Sequence, residues 1–239
     1  MKKLLATGIA ALALGACHSD GGAENRDVGA STTRNYSVGA FSKIEVAGPY
    51  DVTISTGKDT AVAASGGANL LDETEVLVKG DTLVIRPKKR TGMHWGWKSG
   101  KASFTVSTAS IEGVGIAGSG DVRVDKASGD FDGSVAGSGS IDITQIDGGK
   151  VELSIAGSGD IRVAGKADSA EASIAGSGDI DAGGLTAKTA DVSIAGSGGV
   201  KLQATETADV SILGSGDVDI SGGAKCTISK SGSGDVTCH

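Results

Sequence analysis

The chain has little with which to do chemistry or build a thick core. Only three of its 239 residues are histidine: His18, His94 and His239. His18 adjoins a cysteine and His239 is the last residue, so only His94 could serve as a positioned base. A Ser-His-Asp or Cys-His nucleophile is not expected, nor is a histidine zinc site. No catalytic residue is assigned. Aromatics are 3% of the chain. That argues against a core of large rings and favours a thin one of stacked Val, Ile and Ala. Basic charge is also short, with 22 Lys and Arg against 29 Asp and Glu. A net charge of −7 argues against general affinity for nucleic acid, which needs a basic surface. Proline is limited to two residues while glycine reaches 40. Without a Gly-X-Y period, that excess is not collagen.

The apolar run "LLATGIAALALGA" follows "MKK" and is too short to span a bilayer comfortably. It ends in "LGAC", Leu14 to Cys17. This resembles the bacterial lipobox, in which small residues precede a cysteine that receives lipid before cleavage. Residues 1–16 are then a lipoprotein signal peptide and Cys17 the lipidation site. The alternative is an ordinary secretory signal cleaved after Ala16. Several acyl chains would give lasting attachment where one is marginal. By resemblance to enterobacterial sorting, His18 after the cysteine favours the outer membrane over the inner one. Residues 17–34 are small, polar and aperiodic, and read as a flexible tether.

The rest is dominated by one phrase. "SIAGSGDI" stands at 173–180, and near-copies place seven GSG triplets at Gly118, Gly137, Gly157, Gly176, Gly196, Gly214 and Gly232. The spacings are 19, 20, 19, 20, 18 and 18 residues. A fixed period in this range marks a repeat architecture. Within a repeat, Val151, Leu153, Ile155, Gly157, Gly159, Ile161 and Val163 share one parity, while Ser154, Ala156, Ser158, Asp160 and Arg162 share the other. Period-2 alternation predicts strands with one buried face. Paired glycines every twenty residues would interrupt any helix. Like units stacking on like favour a parallel β-helix, with coils about 4.8 Å apart and seven copies spanning about 30 Å. GSG then reads as a corner that every coil needs: glycine permits unusual backbone angles and close approach.

"KIEVAGPYDVTI" at 43–54 aligns with "GVGIAGSGDVRV" at 113–124. It reads as an atypical terminal coil covering the core, with Tyr50 filling space that glycine leaves empty. The stretch 35–110 is expected to form irregular N-terminal coils, and 111–239 the regular ones. Lys230 replaces the inward Ile in the last copy. A charge is not expected in the core, so that coil reads as a frayed or solvated cap. Cys226 and Cys238 share inward parity six residues either side of Gly232, the first glycine of the last GSG. In an oxidising envelope they are candidates for a stapling disulfide.

The order "FSKIEVAGPYDVTISTG", "LVIRPKK" and "SIEGVGIAGSGDV" resembles the GIN domain family of bacterial envelope proteins, named as autotransporter-adhesin head domains. The likeness covers roughly residues 35–239. It implies an all-β, right-handed parallel β-helix at the surface or in the periplasm. It implies no known activity and carries over no catalytic residues.

Two features could bind something. Asp121, Asp160, Asp179, Asp217 and Asp235 follow five GSG triplets, with Ser140 and Gly199 interrupting. In register they form an outward ladder. They read either as solvated residues bonding the turn backbone or as weak cation sites, calcium being the candidate. No cofactor is otherwise expected. The segment "RPKKRTGMHWGWKSGK" at 86–101 sets Trp95 and Trp97 beside Lys88, Lys89 and Arg90. Such a loop could grip sugar rings, anionic lipid or a protein partner, or its indoles could cover a coil end. The expected function is a lipid-anchored binding or adhesion module without catalysis, its partner a glycan or an envelope protein. The alternatives are a carbohydrate-active β-helix enzyme and a purely structural envelope component.

Overall fold

The computed structural model describes residues 28–88 and 100–239. The N-terminal part comprises β1 (Ser31–Tyr36), β2 (Lys43–Ala47), β3 (Tyr50–Ser55), β4 (Ala61–Gly67), α1 (Ala68–Asp72), β5 (Thr74–Lys79), β6 (Thr82–Pro87) and β7 (Ala102–Ser107). The repeats supply β8 (Gly113–Gly118), β9 (Asp121–Val124), β10 (Ala127–Ser128), β11 (Phe131–Gly137), β12 (Ser140–Asp147), β13 (Lys150–Gly157) and β14 (Asp160–Gly176). They continue through β15 (Asp179–Gly196), β16 (Gly199–Gly214), β17 (Asp217–Ser221), β18 (Lys225–Gly232) and β19 (Val236–Cys238). The repeats form a parallel β-helix of about seven turns.

Each regular coil has a first face before its GSG corner and a second face after it. On the first face β8, β11, β13, β14, β15, β16 and β18 pair in parallel. On the second, β9, β12, β14, β15, β16, β17 and β19 do so. First-face pairing is unbroken through every corner glycine. Register shifts fall instead on the return side, as between Ala182 and Thr186. The variation from 18 to 20 residues is therefore absorbed where the chain turns back, away from the GSG corner.

The corner explains its own sequence. The first glycine of each triplet has φ between +133° and +144°, a region that L side chains avoid. The following serine N–H donates to the first-glycine carbonyl of the preceding coil at 2.8–2.9 Å, from Ser138→Gly118 to Ser233→Gly214. The second glycine has ordinary backbone angles. A Cβ there would still overlap the carbonyl of the equivalent glycine one coil back: Gly178 would strike Gly159 O, and Ile155 Cγ2 at 2.9 Å. Both glycines are thus demanded by the stacked backbone. The serine between them is exposed.

Inside, one row of the first face runs Ile116, Val135, Ile155, Ile174, Ile194 and Ile212, each at most 3% exposed. Burying a side chain of this size contributes roughly 1.5–3 kcal/mol. Most large rings lie at the N-terminal end, with Phe131 buried in the second repeat coil. Tyr50 meets Phe104 edge-on at 5.6 Å, Tyr36 lies 6.4 Å from Phe104, and Phe41 is buried.

Three expectations for the N-terminal part need correction. Segment 43–54 is not the terminal coil. β2 and β3 pair with β8 and β9 on one side, and with β6 and β7 on the other. The chain passes over its own first coil before starting the repeats. Tyr50 does occupy the second-glycine position, where a Cβ on Gly120 would overlap Tyr50 O. Its hydroxyl bonds Thr74 Oγ1 at 3.1 Å, and that hydroxyl donates to Leu70 O at 2.8 Å. Second, the end beyond β6 and β7 is closed by antiparallel strands rather than irregular coils: β5 on β6, and β4 between β7 and β1. The short helix α1 adds buried Leu70 and Leu71. Third, Ser31–Arg34, assigned to the tether, are already strand. Residues 17–27 lie outside the described residues.

The corner account predicts unequal neighbours. Gly178→Ala should destabilise by about 1–3 kcal/mol, as overpacking does, and lower Tm by about 2–4 °C per kcal/mol. Ser177→Ala should stay within about 0.5 kcal/mol. Thermal unfolding of the two variants checks this.

Candidate functional site

The second face carries a shallow groove of about 630 Å³ running across the coils. Strand alternation turns every second residue outward, so stacking in register lines the groove with two parallel rows. The row next to the corner holds Asp121, Ser140, Asp160, Asp179, Gly199, Asp217 and Asp235. Two residues along each strand, the second row reads Arg123, Asp142, Arg162, Asp181, Lys201 and Asp219. Charge alternates at each of these six levels.

Alternation has a physical reason. Neighbouring levels are about 4.8 Å apart, where like charges repel and opposite ones attract. Arg162 Nε lies 3.6 Å from Asp181 Oδ2. This pair is solvent-exposed and contributes about 0–1 kcal/mol. The row holds charged groups on a rigid sheet at a fixed repeat.

The aspartate row is tied to the backbone of the next coil. Asp160 Oδ1 accepts from Asp179 N at 3.3 Å, Asp179 Oδ1 from Gly199 N at 2.7 Å, and Asp217 Oδ1 from Asp235 N at 2.8 Å. Asp121 Oδ1 accepts from Ser140 Oγ at 2.6 Å. Among the described residues, no group of three or more His, Cys, Asp or Glu is placed to hold a metal ion. What the row supplies is a set of intercoil hydrogen-bond acceptors.

A second carboxylate row stands on the first face: Asp132, Glu152, Glu171, Asp191 and Asp209 in consecutive coils. Lys150 pairs with Glu152 and with Glu171, the latter at 3.1 Å. These contacts hold its ammonium charged above the usual lysine range, Glu152 first. Burial pushes the Asp132 carboxyl up, and Glu152 adds to that, while Lys43 offsets part of it. Neither the alternating row nor this one was found by sequence reasoning. The signal was there: one lies five residues after the first corner glycine and the other five before it. Reading it required knowing which residues stack.

Of the other sequence candidates, Lys88 donates its ammonium to Asp72 O at 2.7 Å, at the C-terminal end of α1, where a cation suits the helix carbonyls. Trp95, Trp97, Lys89, Arg90 and Cys17 lie outside the described residues. Cys226 and Cys238 form a disulfide with Cα atoms 6.6 Å apart. Among the described residues no helix is long and apolar enough to cross a membrane.

Asp132 sets up a pH test. Its folded pKa lies above the unfolded value, so its ionised form opposes folding. That cost is present at neutral pH and disappears as pH falls through the folded pKa. Asp132→Asn should raise Tm at pH 7, with the gain vanishing near pH 3. An equal gain at both pH values would contradict this origin.

A family model described as "Putative auto-transporter adhesin, head GIN domain" matches residues 40–224. Among solved structures, the chain is similar to a putative adhesin from Bacteroides fragilis NCTC 9343, with 27% identity and a TM-score of 0.76, covering 87% of this chain and 96% of that one. A putative lipid binding protein from Parabacteroides distasonis ATCC 8503 shares 24% identity at a TM-score of 0.67, with the same coverages. A putative adhesin from the same strain shares 22% at 0.66, covering 88% and 97%. The last two likenesses concern the fold. No curated protein matches the chain at a significant level. The family match spans six of the seven GSG corners and the coils that carry them, and the chain belongs to the family of auto-transporter adhesin head GIN domains.

Proposed function

We propose that this chain is a non-catalytic binding and adhesion module of the bacterial envelope, carried on lipid at Cys17. Its recognition surface is the second-face groove; the tryptophan and basic residues of segment 86–101 are a separate candidate contact. The observation that carries this reading is the alternating charge row in the groove. A rigid ladder presents donors and acceptors at a constant repeat, which suits an extended polymer such as a glycan more than a compact substrate. Rigidity limits the ordering cost of binding. The family description, an adhesin rather than an enzyme, supports the same reading and favours a surface or envelope address. A relative of similar fold is described as lipid binding. Here the regular coils are filled by Ile, Val, Leu and Ala side chains with Phe131, so an acyl chain swallowed inside them is disfavoured.

The chain from His18 onward, which includes every described residue, should bind immobilised envelope or host glycans saturably. Arg123→Ala/Arg162→Ala/Lys201→Ala should weaken binding at least tenfold with Tm changed little. Trp95→Ala/Trp97→Ala tests the loop independently. Failure of the folded chain to bind any glycan or any protein from the envelope would favour a purely structural role. Labelled fatty acid should be incorporated by the full chain and not by Cys17→Ser.

A further inference from the structure

The last coil departs from the others at inward positions, where Cys226, Lys230 and Cys238 replace the aliphatic residues of the coil below. β18 pairs with β16 and β19 with β17, and among the described residues no strand covers their outer edge. The strand backbone is therefore open there, and Ile228 on β18 is 47% exposed. An open edge of this length is a template for another chain.

Lys230 stands directly over Ile212, in the row that is otherwise Ile or Val. At three of the corners below, the carbonyl of the second glycine accepts an N–H from the next coil: Ser140 N→Gly120 O at 3.2 Å, Asp160 N→Gly139 O at 3.1 Å, Asp217 N→Gly198 O at 3.3 Å; at the others the equivalent amide donates to an aspartate of the coil before it. In the last coil the equivalent acceptor is Gly234 O, and it receives Lys230 Nζ at 2.6 Å. The ammonium takes the place that the next coil's amide holds at those three corners. Beside it, the Cys226–Cys238 disulfide ties β18 to β19 across the same corner.

We propose that Lys230 is a solenoid cap that stops a second copy of this chain from continuing the stack at β18 and β19. A strand arriving there would have to displace the ammonium from Gly234 O. It would then bury that charge beneath an apolar side chain, without a partner. An inward-pointing charge on an edge is a recognised means of blocking such pairing. The disulfide keeps the two strands of the cap together so that the lysine can reach its acceptor.

The test compares single substitutions in the chain from His18 onward, by sedimentation velocity over a hundredfold concentration range. The unaltered protein should keep a constant monomer mass. Lys230→Ile should associate as concentration rises, with the monomer fraction falling at least tenfold at the upper end. Lys225→Ile, on the same strand but on its outward side, removes the same charge and adds the same apolar group. It should remain monomeric. Lys230→Met repeats the test with an unbranched side chain should Lys230→Ile fail to fold. The proposal is overturned if folded Lys230→Ile or Lys230→Met stays monomeric, or if Lys225→Ile associates equally. It is also overturned if neither Lys230 variant folds, since the residue would then serve folding rather than edge protection.

Discussion

Six backbone hydrogen bonds, each from a corner serine to the first glycine of the coil before it, set the conditions for everything else in the repeats. They bring successive corners so close that no Cβ fits at either glycine. Once both glycines are present in one coil, the next must have them too, because the obstructing atom is the neighbour's backbone. The repeat is therefore a packing requirement passed from coil to coil. It fixes the register at the corner, and that register propagates along both faces. Side chains separated by about nineteen residues in sequence become neighbours about 4.8 Å apart.

Rows of like position follow from this, and with them the electrostatics. On the second face, alternation of Arg or Lys with Asp replaces repulsion by attraction at each level. Nearer the corner, aspartates bond the amide of the next coil. The two ends meet the problem of an open stack differently. At the N-terminal end, α1, antiparallel strands and an aromatic cluster close it. At the other, Lys230 bonds Gly234 O and the Cys226–Cys238 disulfide ties β18 to β19.

Much of this was legible in the sequence. Alternation from Val151 to Val163 and the spacing of the GSG triplets define the coil, and the likeness of 43–54 to 113–124 identifies a coil without the repeat. What could not be read was the order of stacking. Local pattern does not say that β6 and β7 lie outside β2 and β3, because that depends on a crossing of the chain rather than on any strand's composition. The antiparallel partners of β4 and β5 were hidden for the same reason: a strand's alternation is identical in both pairings. The alternating row was missed because its members, from Arg123 to Asp219, are ordinary surface charges until the register aligns them. Single substitutions such as Tyr50 for glycine could be interpreted, since the surrounding parity was intact.

The most direct test of the corner ladder is amide hydrogen exchange at Ser138, Ser158, Ser177, Ser197, Ser215 and Ser233. These serines are exposed, and in an ordinary surface turn their amides would exchange rapidly. Because each donates to the preceding coil, they should be protected to nearly the extent of the buried-strand amides, with Ser233 in the terminal coil the least so. Rapid exchange at all six in a folded protein would contradict a continuous corner ladder and the account built on it.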